Sequence, residues 1–145
     1  MSIFNGMNIS ASGMTAQRLR MDTISQNIAN VNTTRDSQGN VYRRKNVVFA
    51  EKDLSFQNVF MKNLNRYSGN GVKVVSIVED NTTPMNMVYD PAHPDSDEDG
   101  YVSYPNVNTV TEMTNLIDAS RSYEANVTAF NASKSLALKG LEVGK

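Results

Sequence analysis

Apolar residues follow a helical rhythm at both ends of the chain and a strand-like rhythm between them. Ile3, Met7, Met14, Met21, Ile24, Ile28 and Val31 stand on alternating steps of four and three, with Ser10 and Gln17 at the two remaining positions. This spacing predicts an amphipathic helix with a heptad seam. A continuous helix over 3–31 would be about 43 Å long. That is too long to pack wholly against a small globule, so part of the stripe needs another surface. Asn30, Asn32, Thr33 and Thr34 are poor helix formers, and asparagine tolerates the left-handed conformation that ends many helices, so a stop is predicted at 30–32. The far end repeats the design on 3,4 steps: Met113, Leu116, Ser120, Tyr123, Val127, Phe130, Lys134, Ala137 and Leu141. Asn108, Thr111 and Thr114 are its candidate caps, and Gly140 weakens its last turn.

Between the helices, 41–49, 72–78, 85–89 and 101–104 alternate or run β-branched and predict short strands. Gly, Pro, Asn and Asp collect at 36–40, 68–71, 80–84 and 90–100, where the chain should reverse. A short amphipathic helix is expected over 54–67. The pattern predicts an α+β fold: terminal helices at 1–33 and 107–145 paired as a coiled coil, and a small β-rich middle domain at 34–106.

Composition narrows the function. The chain has 145 residues, 39% of them hydrophobic and none tryptophan, which gives thin apolar surface for one self-sufficient core. A formal net charge of -1 removes the long-range attraction on which nucleic-acid binding depends. With no cysteine, a disulfide framework and thiolate chemistry are excluded. No Lys or Arg precedes Arg18 and no apolar h-region follows, so no cleaved Sec-type signal is expected. No apolar run reaches the ~18 residues of a spanning helix.

Asp95-Ser96-Asp97-Glu98-Asp99-Gly100 reproduces the first half of an EF-hand loop, but Asn106 stands where the bidentate glutamate belongs. An acidic turn is the expectation. His93, the single histidine, lies between Ala92 and Pro94 and is assigned a turn role. No Gly-x-Ser-x-Gly elbow, P-loop or dinucleotide fingerprint occurs, and Gly69 and Gly71 read as a hairpin or bulge signal. Arg43-Arg44-Lys45 is assigned to a solvated or subunit-contact face. No catalytic residue, cofactor or metal ligand is expected. For the two stripes, spacing alone leaves an intramolecular helical hairpin and assembly with other chains equally open. Their length and the thin middle favour assembly, since head-to-tail contacts that do not close a ring generate an open filament. A non-polymerising helical adaptor or secreted interaction protein remains the alternative.

The stretch Ser25-Gln26-Asn27-Ile28-Ala29-Asn30-Val31-Asn32-Thr33-Thr34 resembles the NNIANxNT motif that closes the N-terminal helix of flagellar rod, hook and related axial proteins. Asn27, Ile28, Ala29, Asn30, Asn32 and Thr33 carry it. The stretches 42–49, 71–80 and 89–108 resemble the proximal-rod members of that family, with departures at 35–40 and 58–70. The resemblance implies a non-enzymatic subunit, exported by the flagellar type III apparatus without cleavage. It would polymerise through its terminal helices into a torque-transmitting rod that spans the periplasm. Its neighbours would be copies of itself and the rod proteins FlgB, FlgF, FlgG and FliE, near the inner-membrane MS ring. The apolar seam residues would form the assembly interface, ordering as they dock.

Overall fold

The computed structural model describes residues 3–36, 39–52 and 69–143. In chain order these form α1 (Ile3–Ala29), β1 (Lys45–Glu51), β2 (Val72–Glu79), β3 (Asn86–Tyr89), β4 (Tyr101–Tyr104) and α2 (Thr109–Val143). The class is α+β, as the two rhythms predict. The helix expected over 54–67 lies outside the described residues.

Both helices end for local reasons. Asn30 donates from its backbone N and from Nδ2 to Gln26 O at 3.1 and 2.8 Å, closing the last turn of α1 before the chain leaves the axis. Of the three candidate caps for α2, Asn108 does the capping. Its Oδ1 accepts from Thr111 N at 3.1 Å, satisfying one of the helix's orphan amides. Thr111 and Thr114 lie inside the helix, and α2 runs through Gly140 to Val143.

β1 and β2 make a two-stranded sheet. Lys52 N donates to Gly71 O at 2.7 Å and Asp80 N to Arg44 O at 2.8 Å, which makes the pair antiparallel. β1 starts later than the predicted 41–49 run because the residues before it are used elsewhere: Arg44 N, for instance, donates to the Asn106 side chain at 2.9 Å. β3 and β4 pair antiparallel, with Asn86 opposite Tyr104 and Tyr89 opposite Tyr101. Val102 is fully buried, while its cross-strand partner Val88 and its neighbour Tyr101 are exposed.

Contacts divide the chain into two compact units. The first comprises Met1–Leu19, Val48–Ser76 and Ala119–Lys145. Within it α1 and α2 approach antiparallel: Gly6 faces Ser133, Gly13 faces Asn126, and Arg18 Nη2 donates to Tyr123 OH at 3.5 Å. A Cβ at Gly13 would stand 2.7 Å from Asn126 Oδ1, so glycine is what lets the backbone come this near. Ser12 Oγ accepts from Val72 N at 3.0 Å and donates to Ile9 O at 2.7 Å, pinning α1 to the start of β2. The second unit comprises Arg20–Val47 and Ile77–Asp118. Thr23, Ile24, Asn27, Gly100, Val102, Pro105 and Glu112 are buried among its described residues.

The loop between β3 and β4 turns on Gly100, whose φ is 81°. A Cβ there would also lie 2.9 Å from the Tyr89 ring, which packs edge-on to Tyr101 with centroids 5.3 Å apart. Gly100→Ala is therefore expected to lower the unfolding free energy by about 1 to 2 kcal/mol from the left-handed backbone alone, more once the ring is displaced. Urea denaturation of the two proteins at equal m-value measures it.

Candidate assembly site

The motif that closes α1 places Asn27, with no exposed surface, at the centre of a polar network inside the second unit. Its Nδ2 donates to Lys45 O and to Glu112 Oε2, both at 2.9 Å. Its Oδ1 accepts from Tyr42 OH and from Lys45 N, again at 2.9 Å. Two donors and two acceptor sites are all that an asparagine amide has, and every one is used. Burial pushes the Tyr42 phenol above its ordinary value, with Glu79 and Glu112 adding to the shift, so Tyr42 keeps the proton it donates.

Glu112, in the first turn of α2, is 1% exposed. Arg44 holds it with Nε at 2.9 Å and Nη2 at 2.7 Å on Oε1, and Asn115 Nδ2 adds a third donor at 3.2 Å. Asn106 carries the network further, accepting from Arg44 N and donating to Asp80 O at 3.0 Å. Within the basic cluster, Arg44 is thus turned inward and does not belong to a solvated face. Arg44 is internally paired, and Lys45 contributes its backbone.

The acidic loop is a tied turn. Asp95 accepts from Thr34 Oγ1 at 2.7 Å and pairs with Arg35 Nε at 3.2 Å. Asp97 Oδ1 accepts from the backbone N of Asp99 and Tyr101 at 3.2 and 2.7 Å, and His93 Nδ1 accepts from Asp95 N at 3.1 Å, the turn role assigned to it. Asp80 organises the turn after β2 through the hydroxyls and backbone N of Thr82 and Thr83.

Among the seam residues of α1, Ile24 is buried and Met7, Met14, Met21 and Ile28 are half-buried, as is Val31 just past its end; Ile3 opens the helix. On α2, Leu116, Tyr123, Val127, Phe130 and Ala137 are half-buried, whereas Met113 and Leu141 are 54% and 71% exposed. The covered line on α2 is Glu112, Leu116, Ala119, Tyr123, Asn126, Phe130, Ser133 and Ala137. It keeps the same 3,4 steps but trades apolar positions for small and polar ones. That leaves Val110, Met113 and Ile117 turned outward in the second unit, and Leu138 and Leu141 in the first. An open groove of about 310 Å³ in the second unit is lined by Val31, Asn32, Val88, Tyr104, Pro105 and Val107, among others. Gln17 Oε1, in the first unit, is buried and has no partner among the described residues.

Removing one member of a buried, hydrogen-bonded ion pair strands the other, at a cost of about 3 to 5 kcal/mol, whereas replacing both is far milder. Arg44→Leu and Glu112→Leu should each destabilise on that scale and the double variant by much less than their sum, as read by a denaturant double-mutant cycle. Four hydrogen bonds hold the Asp80 carboxyl well below the usual carboxylate range. Its stabilisation is fully present above the ordinary aspartate pKa and is lost as pH falls toward the lowered one. Asp80→Asn should lower the neutral part of a Tm-against-pH curve, where the carboxylate's contribution is fully present, and flatten its acid limb below about pH 4, so that the two proteins converge as pH falls.

Comparison with known proteins agrees with the motif that closes α1. A family described as flagella basal body rod protein matches residues 7–35, and one described as flagellar basal body rod FlgEFG protein C-terminal matches 98–143. The chain is 48% identical to the flagellar basal-body rod protein FlgC of Bacillus subtilis over the full length of both. It is 46% identical to that of Borreliella burgdorferi over 99% of this chain and 98% of the relative. To that of Salmonella typhimurium it is 37% identical, again over both full lengths. At this identity across its whole length, the chain belongs to the FlgC family of flagellar basal-body rod proteins.

Proposed function

We propose that the chain is a structural subunit of the bacterial flagellar basal-body rod, placed in its proximal part, and that it polymerises through its terminal helices. Full-length similarity to rod proteins supports the rod. The observation that carries the polymerisation is the outward apolar surface of α2. Val110, Met113 and Ile117 are 72%, 54% and 53% exposed on a helix whose opposite face is already occupied. A stripe of that kind, at helical spacing, is an anchor line for a neighbouring helix. The open groove beside Val31 offers a neighbour a recess.

In this reading 1–33 and 107–145 form the assembly domain and 34–106 the outer β-rich domain. The seam residues from Ile3 to Val31 and from Met113 to Leu141 serve both the helical hairpin and the contacts between subunits. Partners are copies of the chain and the other rod proteins, beside the inner-membrane ring. Delivery is by the flagellar type III apparatus without cleavage, and the filament carries torque across the periplasm and catalyses nothing. Among the described residues no helix is long and apolar enough to cross a membrane.

Ile28→Asp and Val127→Asp each put a charge on a half-buried seam position. Both are expected to leave a soluble monomer, to abolish incorporation into purified basal bodies and to abolish swimming in a strain lacking the native gene. Normal incorporation of both variants would rule out assembly through the helices.

A further inference from the structure

The helix seam repeats itself. On α1, Gly6 and Gly13 occupy equivalent positions one heptad apart, as do Met7, Met14 and Met21; on α2, Ala119, Asn126, Ser133 and Gly140 do the same. The contacts in the first unit reflect this, with Gly6 against Ser133 and Gly13 against Asn126. A slide of α2 along α1 by one heptad, about 10 Å, would again set glycine against a small or amide residue, Gly6 against Asn126 or Gly140 and Gly13 against Ala119 or Ser133. In that part of the seam the small residues recur at heptad spacing, and the Arg18–Tyr123 hydrogen bond, long at 3.5 Å, is a weak tie to one register.

The polar network in the second unit does not repeat. Asn27 meets Glu112 at 2.9 Å, and Glu112 is held by Arg44, which approaches from just before β1 and belongs to neither helix. A slide in either direction would take the buried carboxylate away from Asn27 and from the Arg44 fork. In one slipped register Arg20 would come opposite Glu112, as a single cation in place of a bidentate guanidinium and an amide. Buried polar groups of this kind are best attested as devices that choose a register at some expense in stability. We propose that Asn27, Arg44 and Glu112 are a register lock, selecting one alignment of α1 and α2 out of a heptad ladder of near-equivalent ones.

The chain contains no cysteine, so reporters can be placed freely. Gly6→Cys with Ser133→Cys reports the observed register; Gly6→Cys with Asn126→Cys and Gly6→Cys with Gly140→Cys report the slips of one heptad. Each pair is built into the full-length chain, with and without Arg44→Leu/Glu112→Leu, oxidised in dilute solution, and intramolecular disulfides are quantified by mass spectrometry. With the network intact, the 6–133 bridge should exceed either slipped bridge at least tenfold. In the double variant the slipped bridges should rise to within a few-fold of it. Three results would overturn the lock: slipped bridges already abundant with the network intact, a double variant that still forms only the 6–133 bridge, or one that forms none of the three. The last would mean that the network holds the helices together without choosing how they align.

Discussion

A single amide whose hydrogen-bonding capacity is exhausted governs how the second unit is built. Asn27 accepts from Tyr42 and Lys45 and donates to Lys45 and Glu112, so it fixes the end of α1, the entry to β1 and the start of α2 together. Removed from water without those partners, its polar atoms would cost several kcal/mol. With them, they impose distance and direction on three segments far apart in sequence. The Arg44–Glu112 pair extends the same constraint, and Asn106 carries it to the turn after β2. A small middle segment with two two-stranded sheets has little apolar interior, and directional polar bonds supply the definition that packing alone would not.

The two helices divide their labour by face. Where they meet, the pairs Gly6–Ser133, Gly13–Asn126 and Arg18–Tyr123 allow close approach and hydrogen bonding between small and polar residues. Where they do not meet, α2 presents valine, methionine, isoleucine and leucine to the outside. The hairpin and the assembly readings of the stripes are therefore compatible, since α2 keeps exposed apolar residues after its covered face is occupied.

Much of this could be read from the sequence because it rests on local rules. The 4,3 spacing placed α1, the asparagine-rich stop ended it, and 101–104 became β4 with unchanged limits. What escaped is non-local. Spacing alone cannot say that Arg44 pairs with Glu112, since nothing in either neighbourhood names a partner so distant in the chain. It also favoured the most apolar line on α2, through Met113, over the equally regular line through Glu112, Ala119 and Asn126. A carboxylate beside an apolar stripe, in the first turn of a helix, was the available sign, and it reads equally well as a residue favoured by the helix dipole.

The half-buried residues that recur along α1, Met7, Met14 and Met21, are methionines where leucine or valine would serve a fixed interface. An unbranched thioether chain has three soft torsions and a polarisable sulfur, so it fills gaps of different outline without a matched counterpart. A surface made this way tolerates dissimilar neighbours. In a shaft built from several kinds of subunit, it would let one chain seat against its own copies on one side and a different protein on the other, absorbing the mismatch at the junction in side-chain rotamers and sparing the backbone.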